Sequence, residues 1–276
     1  MISTNRIAEL AESAEISYEV MQYYVALMIV LVVVATLVDI VHKKSARYFF
    51  ENAKKAKKNA TQTVTSGEKM SVAVKTAVKD VALSGEFCST KRRVAHLFTM
   101  YGFILFVTTT AALVFYPKLG ENNTILPQLW HIGAGMLALG SWWFWLFIRV
   151  DVAAEGNKWY NVEPMDLFSL SLMATSALAL TWSLTGGGVG LTFVLFVVAS
   201  TILFGGVLWS KFAHMFFKPA AAFNKRMMKA DGSMENLPEP ADRTNPEVSE
   251  RHSMLLLKDA PMDMGLGIKR EAPRHY

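Results

Sequence analysis

The stretch Met21–Val41 reads MQYYVALMIVLVVVATLVDIV, and its run Ala26–Val38 carries no charge and few polar groups. A helix of about 20 apolar residues, rising about 1.5 Å per residue, crosses a hydrocarbon layer of about 30 Å. This stretch is long enough to do so. Working outward along the chain, His96–Pro117, Leu129–Ile148 and Leu167–Leu184 meet the same criterion, as does Val189–Phe217, interrupted only near its end by Lys211. The expected fold is therefore an all-α membrane protein, a five-helix transmembrane bundle. Composition agrees: of the 276 residues, 52% are hydrophobic and 18% charged, against about 25% charged in soluble domains. The fourth span is diluted by Ser169, Ser171, Thr175, Ser176 and Thr181. Small hydroxyl residues suit a helix that packs against other helices rather than lipid. The first span is not expected to be a signal peptide, because its flank carries Glu9, Glu12, Glu15 and Glu19 with only Arg6, where a signal peptide is basic.

Lys and Arg collect on the cytoplasmic side of membrane proteins. Five spans put the N-terminus, the loop Lys118–Gln128 and the turn Gly186–Gly188 on one side, with only Arg6 and Lys118 among the 28 basic residues. The N-terminus is therefore expected outside and the C-terminus in the cytoplasm. The net charge of +5 lies mostly on the cytoplasmic face. It fits lipid headgroups or an acidic protein partner, not nucleic acid.

Three regions follow. Residues 1–20 are a polar lead, expected as a short amphipathic helix. Residues 21–218 are the membrane domain, with a cytoplasmic loop at 42–95. Residues 219–276 are a cytoplasmic tail, expected to be partner-docking. In the loop, the lysines at 43, 44, 54, 55, 57 and 58 read as a helical extension of span one, broken at Thr61–Gly67. Met70, Val72, Val74, Val78 and Val81, with Lys75 and Lys79, then suggest an interfacial helix. Gly186-Gly187-Gly188 suits a tight hairpin between spans four and five. In the Pro- and charge-rich tail, Met254–Leu257 reads either as a short partner-docking motif or as an incidental apolar run.

The residues able to carry chemistry are few. Asp39, Arg149 and Asp151 stand at cytoplasmic span ends, where snorkelling would suffice. No charged relay crosses the middle, which counts against an ion-coupled transporter. A single cysteine, Cys88, excludes an intrachain disulfide, a four-cysteine zinc site and an iron–sulfur cluster held by this chain alone. His96 begins span two and His214 lies near the end of span five. The topology brings both to the same depth near the cytoplasmic face. Two such imidazoles can ligate one haem iron; they can equally be separate interfacial histidines. His131, beside Trp130 at the outer end of span three, has no second histidine at its depth. A bis-histidine haem there is excluded within one chain. Trp130 and His131 read either as an aromatic-belt pair or as a quinone contact. Trp142-Trp143-Phe144-Trp145 reads as belt and packing, and Gly133, Gly135 and Gly140 as a close helix approach.

Two motifs carry a resemblance. Glu86–Phe103, EFCSTKRRVAHLFTMYGF, and Trp209–Pro219, WSKFAHMFFKP, resemble the entry to helix two and the end of helix five in the cytochrome b-type membrane subunits related to the respiratory nitrate reductase gamma subunit. The likeness extends to the membrane subunit of the quinone-interacting oxidoreductase complex and covers roughly residues 20–225. It implies that His96 and His214 ligate one haem b. It also implies that the chain is a non-catalytic subunit passing electrons between membrane quinone and a cytoplasmic oxidoreductase, in a bacterial inner membrane. Two-haem members have a second histidine pair, but Phe103–Val107 and Leu195–Ala199 here have none, and the family's cysteine-rich iron–sulfur domain is missing. The short form resembles the membrane anchor of dissimilatory adenylylsulfate reductase, which implies a flavin and iron–sulfur enzyme as the soluble partner. A haem-free tether for such an enzyme is the alternative, and a non-redox transporter a more distant one.

Overall fold

The computed structural model describes residues 4–42, 45–85, 87, 89–121, 125–150, 156, 158–209, 214–235, 237 and 247. Among them there is no strand; the chain is all-helical. In chain order the helices are α1 (Arg6–Glu12), α2 (Tyr18–His42), α3 (Ser45–Lys58), α4 (Ser66–Lys75, continuing as a π-helix over Thr76–Ala82) and α5 (Thr90–Phe115). Then come α6 (Pro117–Glu121), α7 (Ile125–Trp143, with a π-helical end at Phe144–Ile148), α8 (Leu167–Leu184), α9 (Leu191–Gly205) and α10 (His214–Ala230).

Among the described residues, four helices are long and apolar enough to cross a membrane: Tyr18–Val41, Thr90–Phe115, Ile125–Ile148 and Leu167–Leu184. Their exposed surfaces suit a lipid solvent. On α2, Leu27, Val30, Val33, Val34, Leu37 and Val38 are all exposed. Each is about half exposed, so leaving it in water forgoes about half of the roughly 1.5–3 kcal/mol of full burial, roughly 5–9 kcal/mol together. That rivals the whole stability of a domain, about 5–15 kcal/mol.

The expected fifth span differs. Its helix is α9, which ends at Gly205 after 15 residues, a rise of roughly 22 Å at about 1.5 Å per residue. The cause is Gly205-Gly206, each glycine costing about 1 kcal/mol in a helix interior relative to alanine. Gly206 takes the cap position and its N–H donates to the Ile202 carbonyl at 2.8 Å. Turn residues follow to Trp209, and the described chain resumes at His214.

The chain divides into two compact units, Met1–Ala46 with Lys91–Phe217, and Arg47–Thr90 with Lys218–Tyr276. The first unit has its core in Phe106, Trp130, Leu137, Leu172, Trp182 and Leu203. Trp182 stacks on Phe196 of α9, with ring centroids 5.9 Å apart and planes 12° from parallel. Helices α5 and α7 touch backbone to backbone, through glycine. A Cβ on Gly102 would lie 2.4 Å from the Leu137 nitrogen, and one on Gly133 2.6 Å from the Phe106 nitrogen. One on Gly140 would lie 2.5 Å from the Thr99 nitrogen, whereas Gly135 faces open space. The close approach expected at Gly133 and Gly140 is thus present. Ser171, Thr175 and Ser176 of α8 are buried, as expected for a helix packed among helices, while Ser169 is half-buried and Thr181 exposed. The turn after α8 has φ of +112° at Gly186 and +78° at Gly187, where a side chain would be strained.

In the second unit, the loop and the start of the tail, expected as separate segments, pack together. The Thr61 and Gln62 amides donate to the Asp231 carbonyl at 2.9 and 3.0 Å, and Arg226 of α10 grips Asp80. Thr65 caps α4: its hydroxyl accepts from the Glu68 amide while the Glu68 carboxylate accepts from the Thr65 amide. This reciprocal cap stops the break at residues 61–65 from running into the helix. The Met254–Leu257 cluster and Cys88 lie outside the described residues.

Candidate functional site

His96 stands in the second turn of α5 and is half-buried. Phe103 follows seven residues later, two helical turns on, and so shares its face. The Phe103 ring lies 6.2 Å from the ring of Phe204 on α9. The face of α5 that bears His96 is therefore turned towards α9. His214 opens α10; its side chain, and with it the pairing of the two imidazoles, lies outside the described residues. No group of three or more His, Cys, Asp or Glu able to hold a metal occurs among the described residues. A bis-histidine haem site would supply only two.

The other histidine of interest, His131, is built into the bundle. Trp130 is only 4% exposed and His131 9%. The pair is thus inside the helices and not an aromatic belt at the lipid surface. The Trp130 indole N–H donates to Thr110 Oγ1 at 2.9 Å. His131 Nδ1 is 2.7 Å from the Pro127 carbonyl, and Nε2 is 2.7 Å from Ser183 Oγ. A carbonyl only accepts, so Nδ1 carries a proton and donates to it. Both ring nitrogens are occupied. The adjoining cavity measures about 10 Å³ and is lined by Asn5, Arg6, Leu113, Trp130, His131 and Trp182. That is room for about one water. A quinone ring would need this end of the bundle to open.

What closes it is α1, the short amphipathic helix expected in the polar lead. Its Ile7, Ala8 and Leu10 are buried. Arg6 Nε donates to the Ser183 carbonyl at 3.0 Å and its Nη1 to the Gly186 carbonyl at 3.2 Å. Glu15 accepts from the Val189 amide at 2.9 Å. Asn5 Nδ2 is buried with no hydrogen-bond partner. The usable signal was Arg6, the lone cation in an acidic segment.

A second polar cluster lies at the opposite end of α7 and α8. Arg149 was expected to snorkel, but it is 2% exposed. Its Nη2 donates to Asp166 Oδ2 and to the Asn161 carbonyl, both at 2.5 Å, and its guanidinium lies 4.4 Å over Trp145. Asp166 also accepts from the Glu163 amide at 2.9 Å. The π-helical turn that ends α7 brings the Arg149 amide to the Phe144 carbonyl at 2.9 Å. Trp142 and Trp143 are exposed, as belt residues are, while Trp145 is buried beneath the arginine. Asp39 is buried too, and Asp151 lies outside the described residues.

Compared with family models, with curated proteins and with solved structures, the chain matches none.

Proposed function

We propose that this chain is the membrane anchor and electron-transfer subunit of a quinone-linked oxidoreductase complex, holding one haem b between His96 and His214 near the cytoplasmic face. The observation that carries the reading is the shared face of His96 and Phe103, turned towards α9 through the Phe103–Phe204 contact. The segment that follows α9 supplies His214. What supports haem is a half-buried imidazole on a helix face that meets a second helix, with His214 following that helix in the sequence. When bound, haem supplies reversible one-electron exchange at its iron. The protein's own contribution is to donate neutral imidazole nitrogens, to cover that face with Phe103 and Phe204, and to present Lys91, Arg92 and Arg93 at the entry to α5.

In this reading the residues after Gly205 complete a fifth crossing, the N-terminus is outside and the tail cytoplasmic. The partner is a cytoplasmic flavin and iron–sulfur oxidoreductase of the adenylylsulfate reductase type, and the membrane is a bacterial inner membrane.

The test is a dithionite-reduced minus oxidised spectrum of the purified protein. A haem b α-band is expected, lost in His96→Ala and in His214→Ala while the thermal unfolding transition persists. A folded protein with no α-band overturns the electron-transfer role and leaves a haem-free tether. In a Cys88→Ser background, Lys57→Cys should react with an impermeant maleimide only from the cytoplasmic side and Lys118→Cys only from outside. The reverse pattern sinks the orientation.

A further inference from the structure

Helix α4 and its π continuation carry an apolar row that is exposed among the described residues. Met70, Val74 and Val78, four residues apart, are 66%, 54% and 52% exposed. The opposite face is the one held in place. Thr76 is buried, its hydroxyl donating back to the Val72 carbonyl at 2.8 Å. Asp80 is gripped by Arg226 of α10, Nε to Oδ2 at 2.5 Å and Nη2 to Oδ1 at 2.7 Å. A bidentate carboxylate–guanidinium pair fixes orientation as well as distance. The clamp therefore decides which side of α4 looks outward.

The outward side is not merely apolar. Lys75 and Lys79 each follow a valine of the row by one position, so they form an exposed basic flank beside it. The nearby acids are engaged elsewhere: Glu68 in the cap with Thr65, and Asp80 with Arg226. An apolar row with a lysine flank is the pattern of a helix lying in a bilayer interface, its apolar side sunk about 5–10 Å and its lysines among anionic headgroups.

We infer that the Met70–Val78 face of α4 docks on the surface of an anionic lipid bilayer. Two observations select lipid over other occupants. Charge complementarity calls for an anionic surface, and a second copy of this face would oppose lysines to lysines. Continuity also favours lipid, since residues 83–89 join the segment to α5, a helix long and apolar enough to cross a membrane. The inference is independent of haem binding.

The experiment uses the full-length chain with Cys88→Ser, one copy per nanodisc, spin-labelled at Met70→Cys, Val74→Cys or Val78→Cys, with Thr63→Cys as the exposed control. The discs contain phosphatidylcholine with or without phosphatidylglycerol. With phosphatidylglycerol, the ratio of oxygen to nickel-chelate relaxation should rise several-fold over the control at all three row positions. Lys75→Gln with Lys79→Gln should lower occupancy of the bound state by roughly tenfold or more, from about 1 kcal/mol per lysine near an anionic surface. Row labels as water-exposed as Thr63→Cys in both lipids overturn the inference. So does protection that arises only when two copies share a disc, or only on adding a soluble protein.

Discussion

Replacing Gly102 by alanine would put a methyl group 2.4 Å from the Leu137 backbone nitrogen and 2.9 Å from the Met136 carbonyl carbon. Carbon contacts relax at about 3.5–4.0 Å, so α5 and α7 must part locally by roughly 1 Å or more. Backbone atoms cannot rotate away as a side-chain tip can. Overpacking of this kind costs about 1–3 kcal/mol. Gly133 and Gly140 meet backbone at 2.6 and 2.5 Å and should behave alike. Gly135, with nothing within 4 Å, is the internal control: Gly135→Ala keeps the packing and gains up to about 1 kcal/mol of helix propensity. The assay is reversible unfolding by SDS titration in mixed micelles, followed by tryptophan fluorescence. Gly102→Ala, Gly133→Ala and Gly140→Ala should each lower the midpoint, and Gly135→Ala should hold or raise it. Four equal shifts, or a stabilised Gly102→Ala, would refute the backbone contact between α5 and α7.

Arg149→Met should destabilise by about 3–5 kcal/mol, because it strands the buried Asp166 carboxylate, and adding Asp166→Leu should recover most of the loss; equal stability of the single and double variants in the same titration would contradict the buried pair. Thr175 Oγ1 is buried without a hydrogen-bond partner, so Thr175→Val should be neutral or stabilising by about 1 kcal/mol, and a clear drop in midpoint would show that the hydroxyl has a partner. The backbone amide and hydroxyl of Thr65 hold the exposed Glu68 carboxyl below its ordinary pKa. A lowered folded-state pKa stabilises above the unfolded value and is lost as pH falls through the folded one. The protection factor of the Glu68 amide, measured against intrinsic exchange at each pH, should therefore fall as pH drops below the usual carboxylate range, and a Glu68→Gln chain should lack that acid step.

Segment length alone made the four long helices legible, because a bilayer demands about 20 apolar residues whatever the neighbours are. Gly133 and Gly140 were legible for a similar reason: a helix spends glycine where a neighbour's backbone comes close. The end of α9 was also written in the chain, as Gly205-Gly206, but an apolar run conceals a break that hydropathy does not register. Arg149 was misjudged because snorkelling is a property of one residue and burial a property of two. Its partner Asp166 lies 17 positions on, across a loop that gives no pairing signal. Trp130 and His131 failed as a belt for the same reason. Their sequence position marks a span end, but only tertiary packing with Thr110 and Ser183 puts them inside. His96 was legible only as the start of a long apolar helix, and the Phe103–Phe204 contact adds the direction of that helix face.

The stitching of α1 to the turn after α8 has a consequence for biogenesis. Arg6 bonds residues 177 and 180 positions away, and Glu15 one 174 positions away. Ribosomes deliver the first partner at the start of synthesis and the second only after four long apolar helices have been made. Until then Arg6 and Glu15 remain hydrated, and α1 has no reason to seat its apolar side chains. The last event at that end of the bundle is thus performed by the earliest residues. A chain halted before Ser183 would keep a loose N-terminus, open to a protease that the completed protein resists.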